Sequence, residues 1–264
     1  MPERLAQHPW FDASETPRTL AHRGLVTDAA LAAGIVENSF AAVAAAHAAG
    51  AVYVESDCHV TRDGVAVLFH DDDLVRVAGD PRRIDQIELR ELEQLMAERG
   101  GLVSLAQALE SFPGVRFNID VKADAAAETA GTIVGPFADR VLLTSFSDQR
   151  RLRALEAALA ANPQQRPATS AGWSTVARLI FALTIHSRRG VAAALDGVDA
   201  LQLPERHGAL RVVSPRLLEA AHRHGVEVHV WTVNEPDDMR RLVALGVDGI
   251  VTDRAADALA LLKP

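Results

Sequence analysis

Stretches of strand-like composition recur along this chain, and each is followed by a stretch of helix-like periodicity. That alternation constrains the fold more than any other feature. Strand-like runs are read at 18–22, 51–59, 115–121, 140–144, 166–170, 200–203, 227–231 and 249–251. A helix starts near Ser39 and ends at Gly50, and others are predicted near 125–134, 148–160, 174–195, 215–224, 236–245 and 255–262. An excursion follows the second strand. Arg62–Asp63–Gly64 is an Asp-Gly turn leading into a second β-rich run at 65–70, a strong hairpin signal. Residues 71–101 are polar and irregular, with a short helix expected at 88–98, and Ser104 is placed as the N-cap of a helix ending before Pro113. Strict alternation argues for a parallel sheet covered by helices. Eight units favour a closed (β/α)8 barrel of the α/β class over an open doubly wound sheet. No G-x-G-x-x-G motif opens the first helix, which weakens the open-sheet alternative.

The chain has 264 residues, 48% of them hydrophobic. That suits one barrel domain over 18–264 behind an N-terminal extension, 1–17. The net charge of -8 advertises no nucleic-acid surface. An anionic substrate would therefore need local positive charge. A single cysteine, Cys58, excludes a disulfide framework. The first twenty residues lack a charged start followed by an apolar core, so a cytoplasmic location is expected. The longest apolar run, 176–185, is too short to span a bilayer.

Chemistry in such a barrel gathers where strands end. The first strand ends in Ala21–His22–Arg23–Gly24. His22 could move protons and Arg23 could bind an anion, although a lone H-R-G is more often an ordinary strand end. On the second strand Glu55 and Asp57 share one face with Ala51 and Tyr53 by the period of two. Two buried carboxylates so placed repel each other. A hard divalent cation would compensate them, and so would structural salt bridges. Cys58 lies on the other face, toward the helices. On the third strand Asn118, Asp120 and Lys122 share the polar face. Asp120 could complete a metal site and Lys122 could bind a phosphoryl oxygen; a buried Asp–Lys pair is the plainer reading. His70 and Asp71 follow the hairpin and offer a second imidazole. Near the C-terminus His229 and Trp231 share a face. Trp231 either walls a pocket or caps the core. Glu205, at the end of the sixth strand, reads as a surface residue.

Taken in order, these segments resemble the glycerophosphodiester phosphodiesterase family. The matching motifs are A-H-R-G at 21–24, E-N at 37–38, E-S-D at 55–57, T-R-D-G at 61–64 and H-D at 70–71. N-I-D-V-K at 118–122, S-F at 145–146, W-T-V-N at 231–234 and G-V-D-G-I-V-T-D at 246–253 follow. The resemblance implies a TIM barrel that hydrolyses glycerophosphodiesters to sn-glycerol 3-phosphate and an alcohol. It implies His22 and His70 as the acid–base pair, with Arg23 and Lys122 on the phosphate. Glu37 is expected to orient Arg23 or to meet the glycerol. One divalent ion (Mg²⁺, Ca²⁺ or Mn²⁺) would be held by Glu55, Asp57 and Asp120. Asp120 stands where the family usually carries Glu, so ligation directly and ligation through water both stay open. The excursion after His70 is short, and the covering insertion is expected to be reduced. The implied partner is a small phosphodiester, with neither nucleic acid nor membrane insertion; oligomeric state is not legible. Related barrels also cyclise lysophospholipids, and a non-catalytic binding homologue is the remaining alternative.

Overall fold

The computed structural model describes residues 8–11 and 16–262. The rest of the expected N-terminal extension and the last two residues lie outside them. Eight parallel strands form the barrel: β1 Arg18–His22, β2 Tyr53–Val60, β3 Arg116–Val121, β4 Val141–Thr144, β5 Ala168–Thr169, β6 Ala200–Pro204, β7 Glu227–Trp231 and β8 Gly249–Thr252. Their hydrogen-bonded order is β5-β4-β3-β2-β1-β8-β7-β6. An isolated parallel bridge between Ser170 and Ala200 joins the two ends. All eight residues of β2 are buried, as expected of a strand with helices on one face and the barrel interior on the other.

The hairpin after β2 forms as read. The strand Ala66–Leu68 pairs antiparallel with it, Cys58 opposite Leu68. Gly64 takes φ +83 at the turn, where side chains are disfavoured. Serines enter five helices. Ser39, Ser104, Ser147, Ser187 and Ser214 each accept a backbone N–H three residues on, and each such cap stabilises by about 1 kcal/mol.

Two expectations are corrected. The single helix over 174–195 is two, Trp173–Thr184 and Arg188–Leu195. His186 adopts φ +57 between them, and Ser187 caps the second by accepting the Gly190 N–H at 3.1 Å. The apolar run ends at Ile185, and in the polar stretch after it a local cap competes with helix propagation. Residues 71–101 are also more ordered than their composition suggests. Leu74, Ile84, Ile87, Leu92, Met96 and Leu102 build a small core with Val67 and Phe69 of the hairpin.

The opposite end of the barrel is sealed by His8–Phe11. Trp10 is fully buried; its indole N–H donates to the Phe117 carbonyl at 3.0 Å. Its carbonyl accepts the Tyr53 hydroxyl, also at 3.0 Å. Beneath it the Arg18 guanidinium forks onto both oxygens of Glu227 at 2.8 Å and donates to the Tyr53 hydroxyl at 2.7 Å. Cys58 lies in the core between sheet and helices, where burial pushes its thiol up to about 12. It is packing, with no reactive thiolate.

Candidate active site

The carboxyl ends of the strands surround a cavity of about 190 Å3. His22, Arg23, Glu55, Asp57, His70, Asp120, Lys122 and Trp231 line it. Strand register brings the carboxylates together: Glu55 lies beside Asn118 and Asp57 beside Asp120 across the β2–β3 pair. Of the residues singled out from sequence, Glu37 stands behind the cavity wall, while Glu205 pairs with Arg241 at 2.7 Å. His229 is fully buried deeper in the barrel, 3.1 Å from Glu227.

Each imidazole is fixed through Nδ1. His22 Nδ1 meets Asp253 Oδ1 at 2.6 Å, and His70 Nδ1 meets Asp71 Oδ1 at 2.6 Å. In each ring Nε2 is left as the nitrogen for proton exchange. Burial disfavours a charged His22, but the Asp253 hydrogen bond and the nearby Glu55 charge outweigh it and hold its pKa above the ordinary value. Asn234 donates to the other Asp253 oxygen at 2.7 Å and accepts from the Thr252 hydroxyl at 3.0 Å.

Behind the cavity wall runs a chain of ion pairs. The Arg76 guanidinium bridges Asp71 at 2.7 Å and Glu37 at 2.6 Å. Glu37 accepts from Arg23 at 3.3 Å, and Arg23 lies 3.1 Å from Asp57. Glu37 thus lies between Arg23 and Arg76. Asn38, at φ +57, donates to Asp57 Oδ2 at 3.0 Å and accepts from the Ser56 hydroxyl. Asp253, Asn234, Asn38 and Arg76 carry no assigned role in the sequence reading. The first three lie inside quoted motifs, which is the signal that could have found them.

Arg23 itself takes φ +57 and Gly24 follows at φ +89. A Cβ at Gly24 would lie 2.6 Å from the Ala42 carbonyl carbon. Gly24→Ala is therefore expected to cost about 1–3 kcal/mol and to displace Arg23. An unchanged denaturation midpoint would refute this strain.

The ammonium of Lys122 sits between Asp57 Oδ1, at 2.8 Å, and Asp120 Oδ2, at 2.6 Å. Burial raises the Asp57 pKa less than the charges of Lys122 and Arg23 lower it, so Asp57 stays ionised. Glu55 behaves oppositely: burial, then repulsion from Asp57, lifts it to about 7. Burial also raises Asp120, against the pull of Lys122. Asp120 Oδ1 and Asn118 Oδ1 are buried and accept no hydrogen bond. Among the described residues no three His, Cys, Asp or Glu side chains stand in a ready-made metal-binding group. The donor set nonetheless fits a hard cation: Asp120 Oδ1 and Asn118 Oδ1 are buried oxygens without a hydrogen bond, beside a Glu55 carboxylate that burial and Asp57 disfavour.

Two aspartate-held histidines beside Lys122 and Arg23, at the carboxyl end of a parallel barrel, are the layout of an enzyme site. The model of the glycerophosphoryl diester phosphodiesterase family matches residues 22–257. The chain is 35% identical over 239 residues to the probable glycerophosphodiester phosphodiesterase 2 of Mycobacterium tuberculosis, covering 89% of this chain and 87% of that one. It is 25% identical to a lysophospholipase D of Mus musculus, covering 89% and 79%. Its fold matches an Oleispira antarctica phosphodiesterase solved with the product sn-glycerol-3-phosphate, with TM-score 0.70, 20% identity, and 94% and 98% covered. The chain belongs to the glycerophosphoryl diester phosphodiesterase family. No described helix is long and apolar enough to cross a membrane.

Proposed function

We propose that this chain hydrolyses glycerophosphodiesters to sn-glycerol 3-phosphate and an alcohol. The observation that carries the reading is the pair of imidazoles, each held through Nδ1 by an aspartate at 2.6 Å, on the cavity that contains Arg23 and Lys122. Two such rings suit a displacement at phosphorus. His22, held above the ordinary imidazole value, donates its proton from Nε2 to the leaving alkoxide. His70 accepts the proton of the attacking oxygen. Asp253 and Asp71 fix the tautomers and orient the rings. Arg23 and Lys122 bind the phosphoryl oxygens and offset charge that develops there. Glu37 orients Arg23.

Glu55, Asp57 and Asp120 would hold one divalent cation. When bound, it would supply Lewis-acid stabilisation of phosphate and glycerol oxygens. Asn118 Oδ1 is a further oxygen available to that site.

The test is release of sn-glycerol 3-phosphate from glycerophosphocholine and glycerophosphoethanolamine after chelation, then with Mg²⁺, Ca²⁺ or Mn²⁺ restored. Release dependent on one cation is the expected result. No release with any of them, from folded protein, overturns the reading. Lysophospholipids belong in the same assay because the mouse relative bears that name, and a cyclic phosphate as final product would mark a lyase.

A further inference from the structure

The wall of the cavity that follows β4, β5 and β7 is aromatic. Phe146 follows β4, Trp173 follows β5 and Trp231 ends β7, and all three line the cavity. Phe146 stands 6.1 Å from Trp173 at 36° and 5.8 Å from Trp231 at 74°. The three rings therefore form a corner rather than a flat stack. Phe146 is 45% exposed and Trp173 36%, so large apolar rings face solvent that a ligand would displace.

Three features fix what this corner can hold. The only carboxylates lining the cavity, among the described residues, are Glu55, Asp57 and Asp120. Asp57 and Asp120 are both engaged by Lys122, and Glu55 lies 3.8 Å from His22. A primary ammonium among the rings would thus have to compete with Lys122 for Asp57 and Asp120. A quaternary ammonium has no N–H groups and needs only π faces. The second feature is electrostatic. Trp173 begins the helix Trp173–Thr184, whose positive end would repel a cation. Asp148 cancels this: its carboxylate accepts the Gly172 N–H at 3.0 Å, the Thr175 N–H at 2.9 Å and the Ser174 hydroxyl at 2.5 Å. The third is that Lys122 Nζ lies 5.1 Å over the Phe146 ring with its charge taken up by Asp57 and Asp120, so a cation already rests on one of these π faces and Trp173 and Trp231 are left for another.

We propose that Phe146, Trp173 and Trp231 form a leaving-group subsite selective for a quaternary ammonium headgroup over a primary one, with Asp148 as the residue that positions Trp173. This rests on the diesterase reading above and names the alcohol it prefers.

The first experiment needs no turnover. Wild-type protein is titrated with tetramethylammonium by calorimetry, and Trp173→Ala alongside it. Saturable binding that weakens about tenfold in the variant is expected; no binding to the wild type overturns the proposal even if the enzyme is active. The second compares kcat/KM for glycerophosphocholine and glycerophosphoethanolamine. Trp173→Ala should lower the choline-to-ethanolamine ratio about tenfold, and Trp173→Phe should restore most of it. Equal losses on both substrates overturn the subsite. So does a loss confined to lysophospholipids of either headgroup, which would make the corner an acyl-chain wall. Absence of turnover on every diester, with tetramethylammonium still bound at Trp173, would sink the diesterase reading and leave the cation subsite standing.

Discussion

His22→Ala is expected to lower kcat for glycerophosphocholine by about 10²–10⁴-fold. The loss should be far smaller for a glycerophosphodiester with a nitrophenyl leaving group. A choline alkoxide needs a proton as it departs, whereas a nitrophenolate leaves without one. The geometry of the imidazole suits the proposed donor role. Asp253 holds Nδ1 at 2.6 Å, and that bond together with the charge of Glu55 keeps the ring protonated toward higher pH against the effect of burial. Equal losses on both substrates would assign His22 to binding or to the attacking side. Asp253→Asn should reproduce part of the effect, because the amide can hold the ring but cannot stabilise its charge.

Glu227→Ala is expected to be the most destabilising single change, at about 3–5 kcal/mol. It leaves the fully buried Arg18 guanidinium without the carboxylate that takes both of its forks at 2.8 Å. Chemical denaturation measures it, and a shift below about 1 kcal/mol would contradict the argument. The pH dependence has a definite sign. Burial raises the Glu227 pKa, but hydrogen bonds from Arg18 and His229 prevail and hold it at about 2 against an ordinary 4.5. Its folded pKa is depressed, so its contribution is present above pH 4.5 and is lost as pH falls toward 2. Wild-type stability should therefore drop across that window more steeply than that of the variant, which lacks the group. Glu227 sits at the opposite end of the barrel from His22 and His70, so the activity of the folded variant should report stability rather than chemistry.

The strand faces were legible in advance because their information is local. A period of two places Glu55 with Asp57, and Asn118 with Asp120 and Lys122, whatever the rest of the chain does. Strict alternation of elements likewise restricts the sheet to a parallel one. The register that sets Asp57 beside Asp120 is a property of two strands separated by the whole hairpin excursion. The break at His186, by contrast, is local. Apolar residues up to Ile185 and again from Val191 flank the short polar stretch 186–190, and the turn at His186 with the Ser187 cap of the second helix lies within that stretch.

What the sequence determined by itself was a barrel, its inward-facing carboxylates and the two histidines at strand and hairpin ends. Tertiary structure alone decided which groups those side chains meet. His22 and Asp253 are 231 positions apart and become neighbours because β8 pairs with β1 when the barrel closes. Arg76 reaches Glu37 because the small core of the excursion folds back toward the barrel mouth. Trp10 seals the base, and Phe146, Trp173 and Trp231 converge, because loops from separate strands meet at the ends of a closed barrel. Periodicity constrains the direction of a side chain within one element. Which partner it finds depends on closing loops over long sequence separations, and that term belongs to the whole fold.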